Sequence, residues 1–192
     1  MNTPAHLLLG AATCGRGRPQ PVIWAAMLGG LLPDLSLYLL AGASLFLLDI
    51  PPRIVFDELY FSDLWQTIFA IDNSFFVWGA LMAIALMVKR PWAIALCGAA
   101  LLHVLCDFPL HHDDGRAHFW PVSSWVYESP ISYWDKGKGA FWVAPVEATL
   151  ALVAAVILWR QRQGFVLAGV TAVLLVAEFW IVRQWLFFFI DT

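Results

Sequence analysis

Five apolar segments of about twenty residues constrain the fold of this 192-residue chain more than any other feature. A helix needs about 20 apolar residues to cross the hydrocarbon core of a bilayer. The chain is 61% apolar and 13% charged, whereas a soluble domain carries about 25% charged residues. These observations predict an all-α, polytopic transmembrane helix bundle. The predicted spans are 22–48, 68–88, 91–108, 140–159 and 165–189.

A shorter apolar segment, 4–14, precedes the first span and predicts a short N-terminal helix that is too short for a full span. No segment is polar enough to form a separate soluble domain, so residues 1–192 are predicted to form a single integral membrane domain. The longest polar stretch, 109–139, is expected to be an extracytoplasmic loop that covers one end of the bundle. The net charge of −3 gives no sign of a nucleic-acid-binding surface.

Basic residues occur in alternate turns between the predicted spans. They are Arg16 and Arg18, Lys89 and Arg90, and Arg160 and Arg162. Short loops rich in Lys and Arg stay in the cytoplasm. These three turns are therefore predicted to be cytoplasmic, and loop 109–139 is predicted to face the periplasm or the extracellular side.

Ionisable residues inside the predicted spans lie at similar depths. With a helical rise of about 1.5 Å per residue, Asp34 and His103 each lie roughly 18 Å above the cytoplasmic ends of their helices. Glu147 and Glu178 fall in the same outer half of the bilayer. Such residues are costly in lipid, so they are expected to face one another or a wet cavity. This predicts one polar pocket, open to the outer face and covered by loop 109–139.

Four of the five histidines lie in the segment 103–118, which begins in the third span. His103 and Asp107 are four residues apart, so on a helix they share a face and can bind the same ion, or Asp107 can orient His103. Pro109 is expected to end or kink this helix. Imidazole and carboxylate suit zinc and other divalent metals. The alternative is a buried His–Asp hydrogen bond that only ties helices together.

The loop after this helix is dense in further candidate groups. They are His111, His112, Asp113, Asp114 and His118. Adjacent residues point to different sides, so one or two of these histidines are expected to bind the metal and the others to belong to a solvated loop. Arg116 is expected either to neutralise an anionic group or to pair with one of the neighbouring aspartates.

Gly29, Gly30, Pro33 and Asp34 all lie within the first predicted span. Gly and Pro loosen a helix, and the freed backbone groups are tolerated only beside protein or water. Asp34 is therefore expected either to be presented to a cavity or to cap a helix that restarts after Pro33.

The order of these motifs resembles that of the YdjM-like family of bacterial inner-membrane proteins, which are described as membrane-bound metal-dependent hydrolases. The matching residues are His6, Asp34 at the end of Leu-Leu-Pro-Asp, His103, Asp107, Gly115 and the pair Trp120-Pro121. The resemblance covers residues 1–40 and 95–125. It implies that the first four of these residues form a metal site, and that the chain is a hydrolase of the bacterial inner membrane.

One region departs from this family. The family usually has a His-Arg-Gly-x-Thr-His-Ser element leading into the second span, whereas residues 70–74 read Ala-Ile-Asp-Asn-Ser. One or two expected ligands are therefore missing. His111, His112 and His118 are candidates to replace them.

Taken together, these features predict a hydrolase whose divalent metal, with zinc first by ligand type, activates a water molecule. Glu147 or Asp114 is expected to accept the proton of that water, and Arg116 to bind an anionic group. A pocket at headgroup depth favours a lipid-like ester or phosphoester from the membrane. The alternatives are a small transporter or ion-handling protein, since transporters also place polar groups at mid-depth, and a non-catalytic scaffold with a structural metal.

Overall fold

The computed structural model describes residues 1–161, 164–184 and 186, and every regular element within them is a helix. The helices are α1 (Thr3–Cys14), α2 (Gln20–Phe46), α3 (Pro52–Ile54), α4 (Asp63–Asp72), α5 (Phe75–Met87), α6 (Pro91–Asp107), α7 (Ala140–Arg160) and α8 (Phe165–Arg183). A π-helical turn, Val55–Leu59, continues α3, and a 3-10 turn, Lys136–Lys138, precedes α7. The predicted all-α bundle is confirmed.

Four helical segments are long and apolar enough to cross a membrane. They are Gln20–Phe46, Asp63–Met87, Ala140–Arg160 and Phe165–Arg183. The apolar helix α6 is shorter, with 17 residues. Together with α1, these helices match the predicted number of about five spans plus a short N-terminal helix. The end of the last predicted span, residues 187–189, lies outside the described residues.

The second predicted span, 68–88, consists of two helices and begins earlier than its apolar pattern indicates. The side chain of Ser62 accepts a hydrogen bond from the N–H of Trp65 and caps the start of α4. The side chain of Ser74 caps α5 in the same way, by accepting from the N–H groups of Phe76 and Val77. Serine is a favoured N-cap because its hydroxyl satisfies N–H groups that have no partner within the helix.

The short helix α1 packs against α2, α6, α7 and α8 in the centre of the bundle. Ala5, Leu8 and Ala11 are fully buried in these contacts. Its 12 residues extend about 18 Å, less than the hydrocarbon core of about 30 Å. The helix therefore lies inside the bundle without crossing the membrane by itself.

Two adjacent glycines let α2 approach α1 and α6 closely. A Cβ atom on Gly29 would lie 2.0 Å from the carbonyl oxygen of Leu96, and one on Gly30 would lie 2.6 Å from the carbonyl oxygen of His6. The helix α2 runs through Pro33 as one element, so Asp34 lies in its interior and does not cap a restarted helix. The close approach brings the candidate ligands on three helices to one place.

The turns that connect the helices lie in two groups, one at each end of the bundle. The N–H of Gly17 donates to Gln161 Oε1 at 3.0 Å, which joins the first basic turn to the last one. At the opposite end, the guanidinium of Arg116 lies 4.9 Å from the centre of the Tyr60 ring, which joins loop 109–139 to the segment between α2 and α4.

We expect Gly29→Ala to lower the thermal unfolding temperature of the detergent-purified protein, because the new methyl group would overlap the backbone of α6. Overpacking of this kind costs about 1–3 kcal/mol. Gly42→Ala is the matched control in the same helix, since a Cβ there meets no described atom within 4 Å. Equal unfolding temperatures of the two variants, measured by tryptophan fluorescence, would contradict the close helix contact.

Candidate metal site

Three candidate ligands from two helices meet near the end of α6. His6 lies near the start of α1, and His103 and Asp107 lie one turn apart in α6. One ligand atom from each residue lies within 4.8 Å of those of the other two, and all three residues are buried. This group, called the His/Asp cluster below, could hold a metal ion.

The carboxylate of Asp107 lies between the two imidazoles and directs one oxygen to each. Its Oδ1 is 2.8 Å from His6 Nε2, and its Oδ2 is 3.2 Å from His103 Nε2. The two imidazole rings stack with centroids 3.6 Å apart. The amino group of Met1 also lies 2.6 Å from Oδ1.

The ring of His103 is oriented by the backbone of α2. Its Nδ1 lies 2.8 Å from the carbonyl oxygen of Gly30. A carbonyl can only accept, so Nδ1 carries a proton, and Nε2 is the ring nitrogen that faces the carboxylates of Asp107 and Asp34, at 3.2 and 3.5 Å. Within the described residues, this buried Nε2 has no hydrogen-bond partner. Nε2 is therefore the atom through which His103 would bind a metal ion, which displaces any proton on that nitrogen.

Asp34 faces the cluster from α2. Its Oδ1 lies 3.5 Å from His103 Nε2, and its Oδ2 accepts a hydrogen bond of 2.7 Å from Thr3 Oγ1. Thr3 in turn contacts the hydroxyl of Tyr38 at 2.6 Å. Sequence reasoning missed Thr3 and Tyr38. Tyr38 follows Asp34 by four residues and therefore shares its helix face, a signal that could have found it.

His111 extends the cluster into loop 109–139. Its Nε2 lies 3.4 Å from Asp107 Oδ2, and its Nδ1 lies 2.9 Å from Asp114 Oδ2. Burial lowers the pKa of His111, but the contacts with these two carboxylates outweigh burial and hold the pKa above its ordinary value. Burial raises the pKa of Asp114, yet His111 outweighs this effect and the pKa lies below its usual range. Both shifts favour a charged His111–Asp114 pair.

The other two loop histidines lie outside the His/Asp cluster. His112 Nδ1 donates to the carbonyl oxygen of Ser129 at 2.6 Å, and His118 Nδ1 donates to that of Asn73 at 2.9 Å. His112 therefore joins two parts of loop 109–139, and His118 joins the loop to the break between α4 and α5. Of the three loop histidines predicted as ligands, the structure brings only His111 to the cluster among the residues it describes.

In the part of the chain that the structure describes, Glu147 and Glu178 do not contact the His/Asp cluster through their hydrogen bonds but bind Asn2, the residue before α1. Glu147 Oε1 accepts a hydrogen bond from the backbone N–H of Asn2, and Glu178 Oε1 accepts one of 3.2 Å from its side-chain amide. Both glutamates are buried. They connect α7 and α8 to the start of α1, a role that their sequence positions did not reveal.

A polar cavity of about 140 Å³ adjoins the cluster. Its lining includes Asp34, Tyr38, Tyr60, Asp107, His111, Asp114, Arg116 and Tyr133. The guanidinium of Arg116 lies 4.4 Å from the centre of the Phe69 ring, and its Nη1 is buried with no hydrogen-bond partner in the described part of the chain. The cavity therefore combines carboxylates that attract a cation with one arginine that attracts an anion.

No protein-family model matches this chain, and no curated protein or solved structure shows significant similarity to it. The relation to the YdjM-like family therefore stays a prediction that rests on the motif residues. The function has to be inferred from the geometry of the site.

We expect His103→Ala and Asp107→Ala to abolish metal retention, because each change removes one donor from the His/Asp cluster. His112→Ala is the matched control, since its ring bonds to the carbonyl of Ser129. Elemental analysis of the dialysed, detergent-purified proteins measures the outcome, and thermal unfolding shows whether each variant is folded. Full metal content in both folded cluster variants would rule this site out.

Proposed function

We propose that this protein is a membrane-embedded, metal-dependent hydrolase, as the resemblance to the YdjM-like family implies. We further propose that it acts on a lipid-like ester or phosphoester, which a pocket at headgroup depth favours. The observation that carries this proposal is the convergence of His6, His103 and Asp107, which are all buried and bring their ligand atoms within 4.8 Å of one another. Zinc is the first candidate metal, because two imidazoles and a carboxylate are a ligand set of catalytic zinc sites.

His6, His103 and Asp107 would hold the ion, with Asp34 as the next nearest donor. His111, which is charged in its pair with Asp114, would have to lose its proton before it could join them. The bound ion would supply Lewis acidity, which lowers the pKa of water to about 7 and polarises the bond to be cleaved. The hydrogen bond from His103 to Gly30 would keep its ligand nitrogen directed at the site, as the outer partners of ligating histidines do in general.

Asp114 is the proposed proton acceptor. It lines the polar cavity, and its Oδ2 is held by Trp134 Nε1 at 3.1 Å and by His111. Its Oδ1 is buried and has no hydrogen-bond partner among the described residues. Because His111 holds the pKa of Asp114 below its usual range, the carboxylate would be ionised before the reaction and would hold the proton only transiently. Glu147, the other candidate, already accepts a hydrogen bond from Asn2.

In the proposed reaction, the oxygen of a water molecule bonds to the phosphorus or acyl carbon, and the ester bond to the alcohol breaks. Asp114 takes the proton of the water and returns it to the departing oxygen. Arg116 binds the anionic group through its unpaired Nη1, since guanidinium pairs strongly with phosphate oxygens.

We expect the purified protein to release p-nitrophenol from alkyl p-nitrophenyl phosphates or esters when zinc is present, and to stop when the metal is chelated. Asp114→Asn is expected to lower kcat by roughly 10²–10⁴-fold, the usual contribution of a general base. Its metal content should stay unchanged. Asp113→Asn is the matched control, because the neighbouring Asp113 is exposed.

Metal retention without hydrolysis of any of these substrates would contradict the hydrolase and favour a structural metal. Metal-dependent flux of ions or solutes in proteoliposomes, again without hydrolysis, would favour a transporter.

We also propose that the polar cavity faces the outer side of a bacterial inner membrane. The three basic turns support this orientation, because such turns stay in the cytoplasm. The cavity lies at the opposite end, where Arg116 contacts Tyr60.

We expect Asp113→Cys, but not Gln20→Cys, to react with a membrane-impermeant maleimide in spheroplasts when the three native cysteines are replaced by serine. Both positions are exposed, and neither change removes a basic residue. Lysed cells provide the control, in which both variants should react. Labelling of Gln20→Cys in intact spheroplasts would reverse the proposed orientation.

A further inference from the structure

An apolar groove on α7 adjoins the polar cavity. Its volume is about 410 Å³, and its apolar lining is formed by Leu110, Ile131, Trp142, Val143, Val146 and Leu150. We call it the α7 groove. The residues Trp142, Val146 and Leu150 follow one another at intervals of four, so they share one face of the helix. Along the helix axis this stripe extends about 12 Å.

This face of α7 is exposed on the surface of the bundle. Trp142 is 75% exposed and Val146 is 60% exposed. They lie in the first turns of the candidate span Ala140–Arg160. Glu147 also lines the groove, but it is 2% exposed and its Oε1 accepts a hydrogen bond from the N–H of Asn2. The exposed face of the groove is therefore apolar and suited to hydrocarbon.

The α7 groove and the polar cavity share a wall. Met1 lines both of them. Leu110 lines the groove and the next residue, His111, lines the cavity. Likewise, Ile131 lines the groove and Tyr133, two residues later, lines the cavity. The N–H of Tyr133 donates to the carbonyl of Leu110 at 3.1 Å, which joins these two parts of the shared wall. A molecule with a polar and an apolar part can therefore contact both spaces at once.

We propose that the substrate is a phosphate-headed lipid whose phosphate pairs with Arg116 in the polar cavity while its hydrocarbon chain lies in the α7 groove. This inference rests on the proposed hydrolase function and specifies its substrate class. Arg116 is 8% exposed, and its Nη1 has no partner within the described ranges, so it offers a built anion site. The cavity volume of about 140 Å³ suits a phosphate better than a headgroup that carries a sugar.

The test uses the full-length protein in nanodiscs of phosphatidylcholine and a dodecyl phosphate probe with a diazirine near the end of its chain. After illumination, mass spectrometry maps the labelled peptides. We expect the label on α7 at residues 142–150. We expect dodecyl phosphate to compete with the probe, and dodecanol to compete roughly tenfold less well, since the alcohol cannot form the charge-assisted pair with Arg116.

Two valines of α7 form a matched pair of variants. Val146 lines the groove, whereas Val153 is similarly exposed, at 51%, and lies further along the helix. We expect Val146→Trp to fill the groove and reduce labelling roughly tenfold, and Val153→Trp to leave it unchanged. We expect Arg116→Gln to remove the preference for dodecyl phosphate over dodecanol without moving the label from α7.

Three results would overturn this inference. They are labelling spread over all membrane-facing helices, equal competition by dodecanol, and crosslinks between residues 142–150 of two copies of the chain. The first two indicate ordinary boundary lipid, and the third indicates that a second copy covers the groove.

The labelling experiment is repeated with chelated protein and with His103→Ala, because lipid binding by Arg116 and the α7 groove does not require the metal whereas hydrolysis does. We expect both samples to be labelled on α7 and to be inactive. Selective labelling of α7 without hydrolysis by the unmodified, zinc-loaded protein would leave the lipid site standing and refute the hydrolase. Hydrolysis without selective labelling of α7 would support the hydrolase and refute the lipid site.

Discussion

The contact of the Asp107 carboxylate with the imidazoles of His6 and His103 is the interaction on which the rest of this structure depends. Charged groups are costly inside a membrane unless they are paired or reach water. Asp107 is buried, and its two oxygens face the two rings at 2.8 and 3.2 Å. The contact requires α1 and α6 to meet in the centre of the bundle, and the absence of side chains at Gly29 and Gly30 permits α2 to close around them.

Loop 109–139 completes the enclosure of this polar centre. His118 bonds to the backbone of Asn73, and the hydroxyl of Ser74 bonds to the carbonyl of Trp120, so the loop is attached to the break between α4 and α5. Ser129 Oγ donates to the carbonyl of Pro109 at 2.5 Å and holds the start of the loop against its second half. These bonds satisfy buried polar groups and place Asp114 and Arg116 over the end of α6.

The same arrangement divides the surroundings of the cluster into two chemical environments. The cavity on one side contains carboxylates and Arg116, while the α7 groove on the other side is apolar. Glu147 and Glu178 stabilise the boundary by binding Asn2, which fixes the start of α1 against α7 and α8. A polar site beside an exposed apolar groove is the arrangement that the proposed binding of a phosphate-headed lipid requires.

The amino-acid sequence by itself determined the all-helical class, the approximate number of spans and the local pairs. It did not reveal the break between α4 and α5. The length and hydrophobicity of a span are properties of consecutive residues, and the four-residue spacing of His103 and Asp107 places them on one helix face whatever surrounds them. Only the tertiary structure decided that α1 lies in the centre of the bundle, that Thr3 orients Asp34, and that His111 rather than His112 or His118 reaches Asp107. Those outcomes depend on contacts between distant parts of the chain, such as His6 with Asp107, and no local pattern of residue types encodes which helix faces meet.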